Sequence, residues 1–384
     1  MRLLVVTHTD GAWGAEQRLA EYLPHLIDSG ISPTLLAPAE GDFTSRFRAA
    51  GGDVELMDLG SRVGLRSADG GRPGPMALAG ELKHVAGAAR RLARVAKRFD
   101  VVQSHSRTAH VEVAMAGRFA RKPTVLDHHD VIAEGIGRRA MQLAANLAST
   151  TVVNSSSTRE SVPGVADSKL VVINPAVDLD RYTGRVERSV QLRSELAGGD
   201  CDDSTILVGI LGRIDVEKRI EVLLRAAEQL DMPQLRIVVV GAALAGDDYL
   251  DRLETGDLSS KVGRVEFVGA RSDIPEVMAC LDVVVSTCPV EAFGRTLLEA
   301  QASRVPVIGP DLSGVRDIVR TAETGWLFRP DDVSDLASVL GDLALRLDAA
   351  ETKMVVERAR SQAEGLGVAQ QAMAFARVYQ DLVV

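Results

Sequence analysis

The amino-acid sequence predicts an α/β protein that contains two doubly wound parallel sheets. Short β-branched runs alternate with amphipathic stretches along the whole chain of 384 residues. This alternation is typical of parallel sheets that carry helices on both faces. The runs are almost continuously apolar, as expected for strands buried on both sides. Because the chain is longer than one hydrophobic core usually organises, we expect two domains.

Two series of strands are predicted, one in each half of the chain. The first series comprises the runs Leu3–Val6, Val101–Ser104, Thr124–Asp127 and Leu170–Ile173. The second series comprises the runs Thr205–Leu211, Leu235–Val240, Val265–Val268, Val283–Ser286 and Val305–Ile308. The apolar positions recur with a helical period in the stretches Glu16–Ser29, Met76–Phe99, Ile220–Leu230 and Val333–Leu347.

The boundary between the two domains is expected at Asn174–Tyr182, where a polar stretch follows an apolar run. This boundary divides the chain into domains 1–177 and 178–367. A last helical stretch, Val368–Val383, follows the glycine-broken sequence EGLG. Within the first domain, Gly60–Pro75 is a long glycine-rich segment, typical either of a functional loop or of plain connecting chain.

Composition excludes several functional classes. The formal net charge of −9 leaves no basic surface of the kind that binds nucleic acid. The three cysteines, Cys201, Cys280 and Cys288, have neither the number of a disulfide framework nor the spacing of metal ligands. No apolar run approaches the roughly 20 residues of a membrane-spanning helix, so a cytoplasmic location is expected.

The residues that directly follow the predicted strands are the candidates for a ligand site, because open parallel sheets bind ligands beyond the carboxyl ends of their strands. After Leu3–Val6, the glycines of THTDGAWGAE permit a close approach of the backbone to an anion. This segment is not G-x-G-x-x-G, which disfavours a nicotinamide-dependent dehydrogenase. After Thr205–Leu211, Arg213 and Lys218 are placed to reach a diphosphate, although solvated surface cations are the alternative interpretation.

The most informative segment, PVEAFGRTLLEA, follows Val283–Ser286. A helix that begins near Gly294 would turn its free N–H groups and positive dipole end toward a ligand. Glu291 then lies just ahead of this helix and Glu299 inside it, roughly 10 Å apart along the axis. This separation suits a nucleotide sugar, which has hydroxyls at both ends and a diphosphate between them. One capping and one solvated glutamate are the alternative.

Several segments resemble motifs of the retaining family-4 glycosyltransferases, also called glycosyl transferases group 1. EAFGRTLLEA resembles the E-x7-E motif of that family, and GRIDVEKRIEVLLRA resembles its GR-x4-K phosphate segment. GAWGAE is similar to the N-terminal GGAE loop, and VINPAVDLDRY is similar to the interdomain NGVD stretch. The matches occur in the family's order across nearly the whole chain.

The resemblance implies the GT-B architecture, in which two Rossmann-like domains face each other across a cleft. It implies that the first domain binds mainly the acceptor and that the second binds a nucleotide-diphosphate sugar. The helix within 368–384 would pack back on the first domain. The expected reaction moves the sugar to an acceptor hydroxyl of unknown identity, in an envelope glycolipid or polysaccharide precursor or a secondary metabolite. Retention of anomeric configuration is expected, with no metal and no cofactor.

Individual roles follow from the same resemblance. Arg213 and Lys218 would hold the diphosphate, Glu291 the hydroxyls of the donor sugar and Glu299 those of the ribose. His105 would lie near the anomeric carbon. Further contacts are implied with the donor at Gly14, Arg271, Phe293 and Gly294, and with the acceptor at Trp13 and His129.

Three alternatives remain open at this point. The first is a nucleotide-sugar epimerase or hydrolase of the same fold, and the second is a nucleotide-sugar-binding module without catalysis. The third concerns membrane contact through residues 81–98. A basic amphipathic helix can lie on the anionic inner face of a membrane, but its apolar stripe can equally belong to the core. The cations of this stretch are Arg90, Arg91, Arg94, Lys97 and Arg98.

Overall fold

The computed structural model describes residues 1–9, 11, 14–60, 75–132, 134–183, 188–199, 201–243, 246–255 and 265–383, without the side chains of 75–79, 81, 82 and 183. The chain divides into two compact units. Unit 1 comprises Met1–Ala176 together with Val368–Val384, and unit 2 comprises Val177–Gly367. Trp13 and nearly all of the glycine-rich segment predicted at Gly60–Pro75 lie outside the described residues.

The strands and helices alternate in both units. The strands are β1 (Arg2–Val6), β2 (Ser32–Ala37), β3 (Asp53–Leu56), β4 (Val101–Ser104), β5 (Thr124–His128), β6 (Thr150–Val153), β7 (Leu170–Val172), β8 (Ile206–Leu211), β9 (Leu235–Val240), β10 (Val265–Gly269), β11 (Val283–Val285), β12 (Val307–Pro310) and β13 (Trp326–Phe328). The helices are α1 (Gly14–Asp28), α2 (Asp42–Ala49), α3 (Pro75–Ala96), α4 (His110–Ala120), α5 (Ile136–Leu147), α6 (Ser156–Glu160), α7 (Leu179–Thr183), α8 (Val190–Leu196), α9 (Ile220–Gln229), α10 (Tyr249–Thr255), α11 (Ile274–Cys280), α12 (Arg295–Ala302), α13 (Ser313–Arg316), α14 (Val333–Ala344), α15 (Ala350–Glu364) and α16 (Val368–Asp381).

The sheet of unit 1 has seven parallel strands in the order β3-β2-β1-β4-β5-β6-β7. The strand order reverses between β1 and β4, so ligands are expected beyond the carboxyl ends of these two strands. Both faces of the sheet are covered. Leu4 and Val6 of β1 join a core cluster with residues of α3, α4 and α5. Leu3 and Val5 join a second cluster on the other face with residues of α1, α2 and α16.

The last helix, α16, is part of unit 1. The ring of Phe375 stacks on that of Tyr22 in α1, with 5.0 Å between the centroids. The Tyr379 hydroxyl donates a hydrogen bond to the side-chain oxygen of Gln103 in β4, and Gln371 donates one to the carbonyl oxygen of Asn174 at 2.9 Å. These contacts place α16 on the face of the sheet that carries α1.

The sheet of unit 2 has six parallel strands in the order β10-β9-β8-β11-β12-β13. The order again reverses at the first strand of the unit, so the expected ligand position lies beyond β8 and β11. Val284 of β11 joins one core cluster, and its neighbours Val283 and Val285 join another on the opposite face. Helices therefore cover both faces of this sheet as well.

The predicted fold class is confirmed, because both units contain an all-parallel sheet with helices on either side. The predicted strands agree with the observed ones to within about two residues, the largest displacement being at β12 (Val307–Pro310). The predicted series omits β2, β3, β6 and β13, which are strands of three to six residues. Two of them, β3 and β13, are edge strands, which are commonly short.

The apolar stripe of α3 belongs to the core. Val85, Leu92 and Phe99 are each at most 6% exposed, and Leu92 and Phe99 pack in the cluster that contains Leu4. Of the two interpretations of residues 81–98, the structure therefore supports a surface helix with its apolar side turned inward. Among the described residues, no helix has the length and hydropathy needed to cross a bilayer.

Candidate functional site

The loop after β8 is shaped by a side-chain cap. The Asp215 carboxylate accepts hydrogen bonds from the backbone N–H groups of Glu217 at 3.0 Å and Lys218 at 3.2 Å. This is the usual way in which an aspartate satisfies the free N–H groups of a helical turn. Arg219 then adopts a left-handed conformation with φ 52°, which ends the turn before α9 begins. The cap fixes the backbone that carries Lys218.

Lys218 and Glu291 meet at the point where the strand order of unit 2 reverses. The Lys218 ammonium lies 3.1 Å from the Glu291 carboxylate, and the side chains are 26% and 19% exposed. Burial lowers the pKa of Lys218, but the charge of Glu291, the nearby Cys288 and the hydrogen bond to Glu291 together outweigh that effect, so the pKa lies above its ordinary value. The Thr287 hydroxyl donates to the Lys218 carbonyl oxygen at 2.7 Å and ties together the loops that follow β8 and β11.

The segment after β11 turns sharply into α12. Gly294 is the N-cap of α12 and has φ 96°, a conformation that a side chain would strain. Phe293, which is 2% exposed, anchors the turn in the core of unit 2. Glu299 lies on the second turn of α12, 16% exposed and 3.5 Å from the Arg295 guanidinium. The N-terminus of the eight-residue helix and the Lys218–Glu291 pair thus lie at the same edge of the sheet.

The two arginines of unit 2 that were predicted as site residues, Arg213 and Arg271, both form ion pairs with carboxylates. The Arg213 guanidinium lies 3.1 Å from Asp215 and 3.6 Å from Glu217, and its side chain is 48% exposed. Arg271 follows β10, binds Asp273 at 2.6 Å and Glu195 at 2.8 Å, and is 19% exposed. These hydrogen bonds hold the pKa of Arg271 above its ordinary value. Arg213 is therefore the more accessible of the two predicted arginines.

Unit 1 contains a buried charged network at the carboxyl ends of β4 and β5. The Arg18 guanidinium of α1 donates to both carboxylate oxygens of Asp127 at 3.1 and 3.0 Å. The two side chains are 2% and 0% exposed. Burial would raise the pKa of Asp127, but the neighbouring His129, Arg18 and His105 outweigh it and hold the pKa well below the ordinary value. The network therefore contains a buried ion pair.

Two histidines complete this network. His105 Nδ1 lies 3.1 Å from the Asp127 carboxylate, and its ring is fully buried. Burial lowers the pKa of His105, so Nδ1–H donates from a neutral ring. His129 Nδ1 faces the Arg18 guanidinium at 3.0 Å, and its Nε2 faces the His105 carbonyl oxygen at 2.9 Å. Since a carbonyl oxygen can only accept, Nε2 of His129 carries a proton, and Nδ1 also lies 3.3 Å from the Asp127 carboxylate. With 14% of its side chain exposed, His129 is the more accessible of the two histidines.

The ligand atoms of His105, Asp127 and His129 lie within 4.8 Å of one another, which is a spacing that could hold a metal ion. The Arg18 guanidinium already faces Asp127 and His129 at about 3 Å. A metal ion here would have to displace this cation, because burying two positive charges at one carboxylate costs a large free energy. The residues present therefore fit a guanidinium better than a metal.

A second pair of buried histidines lies beside the network. The rings of His110 and His128 are 5.6 Å apart, edge to face, and His110 Nδ1 lies 2.6 Å from the Ser104 hydroxyl. Burial lowers the pKa of His128 to about 4, and it lowers the pKa of His110 as well. Both rings are therefore neutral at physiological pH.

The structure brings the predicted residues together in two groups. In unit 2, it places Lys218, Glu291 and Gly294 at one edge of the sheet, with Arg213 on the same loop as Lys218. In unit 1, His105 and His129 share the carboxylate of Asp127. Arg18, Asp127 and Asp215 were not predicted from the sequence as site residues. For Asp215, a local signal existed, since an aspartate ahead of a helical turn is a common cap.

Comparison with known proteins identifies the family. The model for "Glycosyltransferase Family 4" matches residues 13–181, and the model for "Glycosyl transferases group 1" matches residues 199–362. The D-inositol 3-phosphate glycosyltransferase of Mycobacterium sp. (strain JLS) is 32% identical over 198 residues, which are 50% of this chain and 43% of that protein. The sulfoquinovosyl transferase SQD2 of Arabidopsis thaliana is 30% identical over 197 residues, 50% of this chain and 36% of that protein. The chain thus spans less than half the length of these curated relatives.

Solved structures of similar fold cover the whole chain. Alr3699/HepE of Anabaena, in complex with UDP, has a TM-score of 0.83 and 24% identity, with 100% of both chains covered. The complex of the same protein with UDP-glucose has a TM-score of 0.81. WaaG, a glycosyltransferase involved in lipopolysaccharide biosynthesis, has a TM-score of 0.68 and 16% identity, with 99% of each chain covered. The chain belongs to the family-4, group 1 glycosyltransferases and has their GT-B fold.

Proposed function

We propose that this protein transfers a sugar from a nucleotide-diphosphate sugar to the hydroxyl of an acceptor. The observation that carries this proposal is the Lys218–Glu291 pair, 3.1 Å apart, beside the N-terminus of α12. A cation, a carboxylate and the N-terminus of a helix at one sheet edge suit a diphosphate flanked by hydroxyls. The family membership and the UDP and UDP-glucose complexes of Alr3699/HepE support it.

Unit 2 provides the donor site in this proposal. When the donor binds, the Lys218 ammonium exchanges part of its contact with Glu291 for the diphosphate. Glu291 then accepts hydrogen bonds from the hydroxyls of the sugar. Arg213 is half exposed and can exchange Asp215 for a phosphate oxygen. Glu299, one helical turn beyond Arg295, accepts from the ribose hydroxyls. Arg271 as a contact of the nucleotide base stays a prediction, since its guanidinium would have to give up Asp273 or Glu195.

The proposed reaction retains the anomeric configuration and needs no metal ion. The bond between the anomeric carbon and the diphosphate oxygen breaks, and its electron pair remains on the phosphate. Lys218, Arg213 and the N-terminus of α12 stabilise this developing charge, which is the role that preorganised cations and N–H groups play in catalysis. The acceptor oxygen bonds to the anomeric carbon on the face that the phosphate leaves, and its proton passes to the departing phosphate.

Unit 1 provides the acceptor side in this proposal. His129 retains exposed surface, whereas the ring of His105 is fully buried against Asp127. We therefore assign the contact with the ligand to His129 and a supporting position to His105. Gly14, at the start of α1, and Trp13 lie in the segment that the family uses near the phosphate and the acceptor. Their contacts with a ligand stay predictions.

An acceptor-dependent assay tests the proposal. The full chain is incubated with UDP-, GDP-, ADP- and dTDP-sugars, with and without candidate acceptors, and released nucleoside diphosphate is measured. The acceptors include inositol phosphates, the chemistry suggested by the name of the mycobacterial D-inositol 3-phosphate glycosyltransferase. We expect release from one donor to depend on one acceptor, with retained configuration in the NMR spectrum of the product. If nucleoside diphosphate is released equally fast with and without an acceptor, the protein is a hydrolase. If the sugar is isomerised, the protein is an epimerase.

A further inference from the structure

A set of large apolar side chains is exposed on the helices α4 and α5. Phe119, Leu143 and Leu147 are 48%, 57% and 41% exposed, and we call them the amino-edge patch. The helices contact each other, and each leads directly into the start of the next strand, β5 and β6. Phe119 and Leu147 therefore lie at the same end of two neighbouring helices, with Leu143 one turn from Leu147.

Exposed cations lie at the same end of this helical layer. Arg94 and Lys97 lie at the end of α3, which leads into β4, while Arg118 and Arg121 lie at the end of α4. No ion pair is formed by these four residues within the described part of the chain. Asp100, the acidic residue that directly precedes β4, is hydrogen-bonded by Arg2. The ends of the three helices thus combine positive charge with apolar surface.

The patch differs from the surface that the sequence suggested. The apolar stripe of α3 is buried in the core of unit 1, so α3 can offer a membrane only its cations. The exposed apolar groups come instead from α4 and α5. The patch also lies at the amino ends of the strands, the opposite edge of the unit 1 sheet from Asp127 and His129.

We propose that the amino-edge patch and its surrounding cations dock on a bilayer that contains anionic lipids. Anionic headgroups attract clustered Lys and Arg, and shallow insertion of a few apolar side chains adds to that attraction. This combination suits a lipid surface better than an uncharged apolar partner, because the four cations would otherwise lose hydration without gaining opposite charge. Docking through this patch would be independent of the reaction that the protein catalyses.

Vesicle sedimentation tests the inference. The full chain is mixed with vesicles of pure phosphatidylcholine and with vesicles that contain phosphatidylglycerol, and the bound fraction is measured at low and high salt. We expect binding only to the anionic vesicles, with a loss at high salt because screening weakens the attraction. The triple variant Phe119→Ser, Leu143→Ser, Leu147→Ser should bind about tenfold more weakly, as should Arg94→Gln, Lys97→Gln, Arg118→Gln.

A matched control separates this patch from exposed apolar surface in general. Val190, Leu345 and Met354 of unit 2 are 84%, 77% and 59% exposed, so their triple serine variant removes at least as much exposed apolar surface. This control should bind the anionic vesicles as the wild type does. Absence of wild-type binding, or equal binding by the patch variant, would overturn the inference. A wild-type dimer in size-exclusion chromatography that the patch variant abolishes would overturn it too, since the patch would then join two copies.

Discussion

Replacing Lys218 with alanine should lower the turnover of the donor by about 100-fold or more, the effect typical of losing one group that stabilises a developing charge. The Lys218 ammonium is positioned by the Asp215-capped turn and by Glu291 at 3.1 Å. The pair is mostly buried, with 26% and 19% of the side chains exposed, so removal of the lysine leaves Glu291 without its partner and should lower the free energy of unfolding by about 1–3 kcal/mol, which still leaves the protein folded. Steady-state release of nucleoside diphosphate and urea unfolding measure the two effects.

The control for this variant is Arg225→Ala. Arg225 is an exposed residue of α9 in the same unit, and its removal changes the net charge by the same amount. Its turnover should match that of the wild type. Wild-type turnover in Lys218→Ala would contradict the role assigned to Lys218. A loss of turnover in a variant that is unfolded under the assay conditions would mean that the lysine acts only in folding.

Replacing Asp127 with asparagine should lower the free energy of unfolding by about 3–5 kcal/mol, because it leaves a buried guanidinium without its counter-charge. Arg18 and Asp127 are 2% and 0% exposed and share two hydrogen bonds. Asparagine keeps the size of the side chain, so the effect reports the lost charge rather than a cavity. Urea unfolding of the full chain measures it.

Two further variants identify the cause of that loss. Glu40→Gln removes the carboxylate of an exposed pair with Arg48 in the same unit and should leave the unfolding midpoint unchanged. The double variant Arg18→Met, Asp127→Asn also removes the unpaired buried guanidinium and should recover part of the free energy of unfolding. The proposed stabilisation by the buried ion pair is contradicted if Asp127→Asn unfolds like the wild type. It is also contradicted if the double variant is less stable than the single variant.

The fold is largely predictable because its signal is local. The run Leu3–Val6 is fully apolar and fully buried, since helices cover both faces of β1. The strand β2 (Ser32–Ala37) is buried from Pro33 onward, but it begins with serine and proline, which mask the strand pattern. The four residues of β6 begin with two threonines and are too few to show a period. Such strands are recognised only through their neighbours in the sheet.

The site is predictable only in part. Lys218, Glu291 and Gly294 follow strands that end at one sheet edge, so their proximity follows from the alternation of strands and helices. The pair Arg18–Asp127 joins residues 109 positions apart. In the sequence pattern, Asp127 is only the last residue of an apolar run, and Arg18 is only a polar position of an amphipathic helix. Only the packing of α1 against the sheet brings them together, and no local pattern records that contact.

The most direct test of the donor site in unit 2 is calorimetric titration with UDP, GDP, ADP and dTDP in the presence of EDTA. The proposal predicts that one nucleoside diphosphate binds without metal. Glu299→Ala should weaken its binding about tenfold or more, since a hydrogen bond to a charged group is lost. Glu228→Ala, which changes an exposed glutamate of α9, should bind as the wild type does. No binding of any of the four at millimolar concentration, or equal binding by Glu299→Ala, would contradict the assigned site.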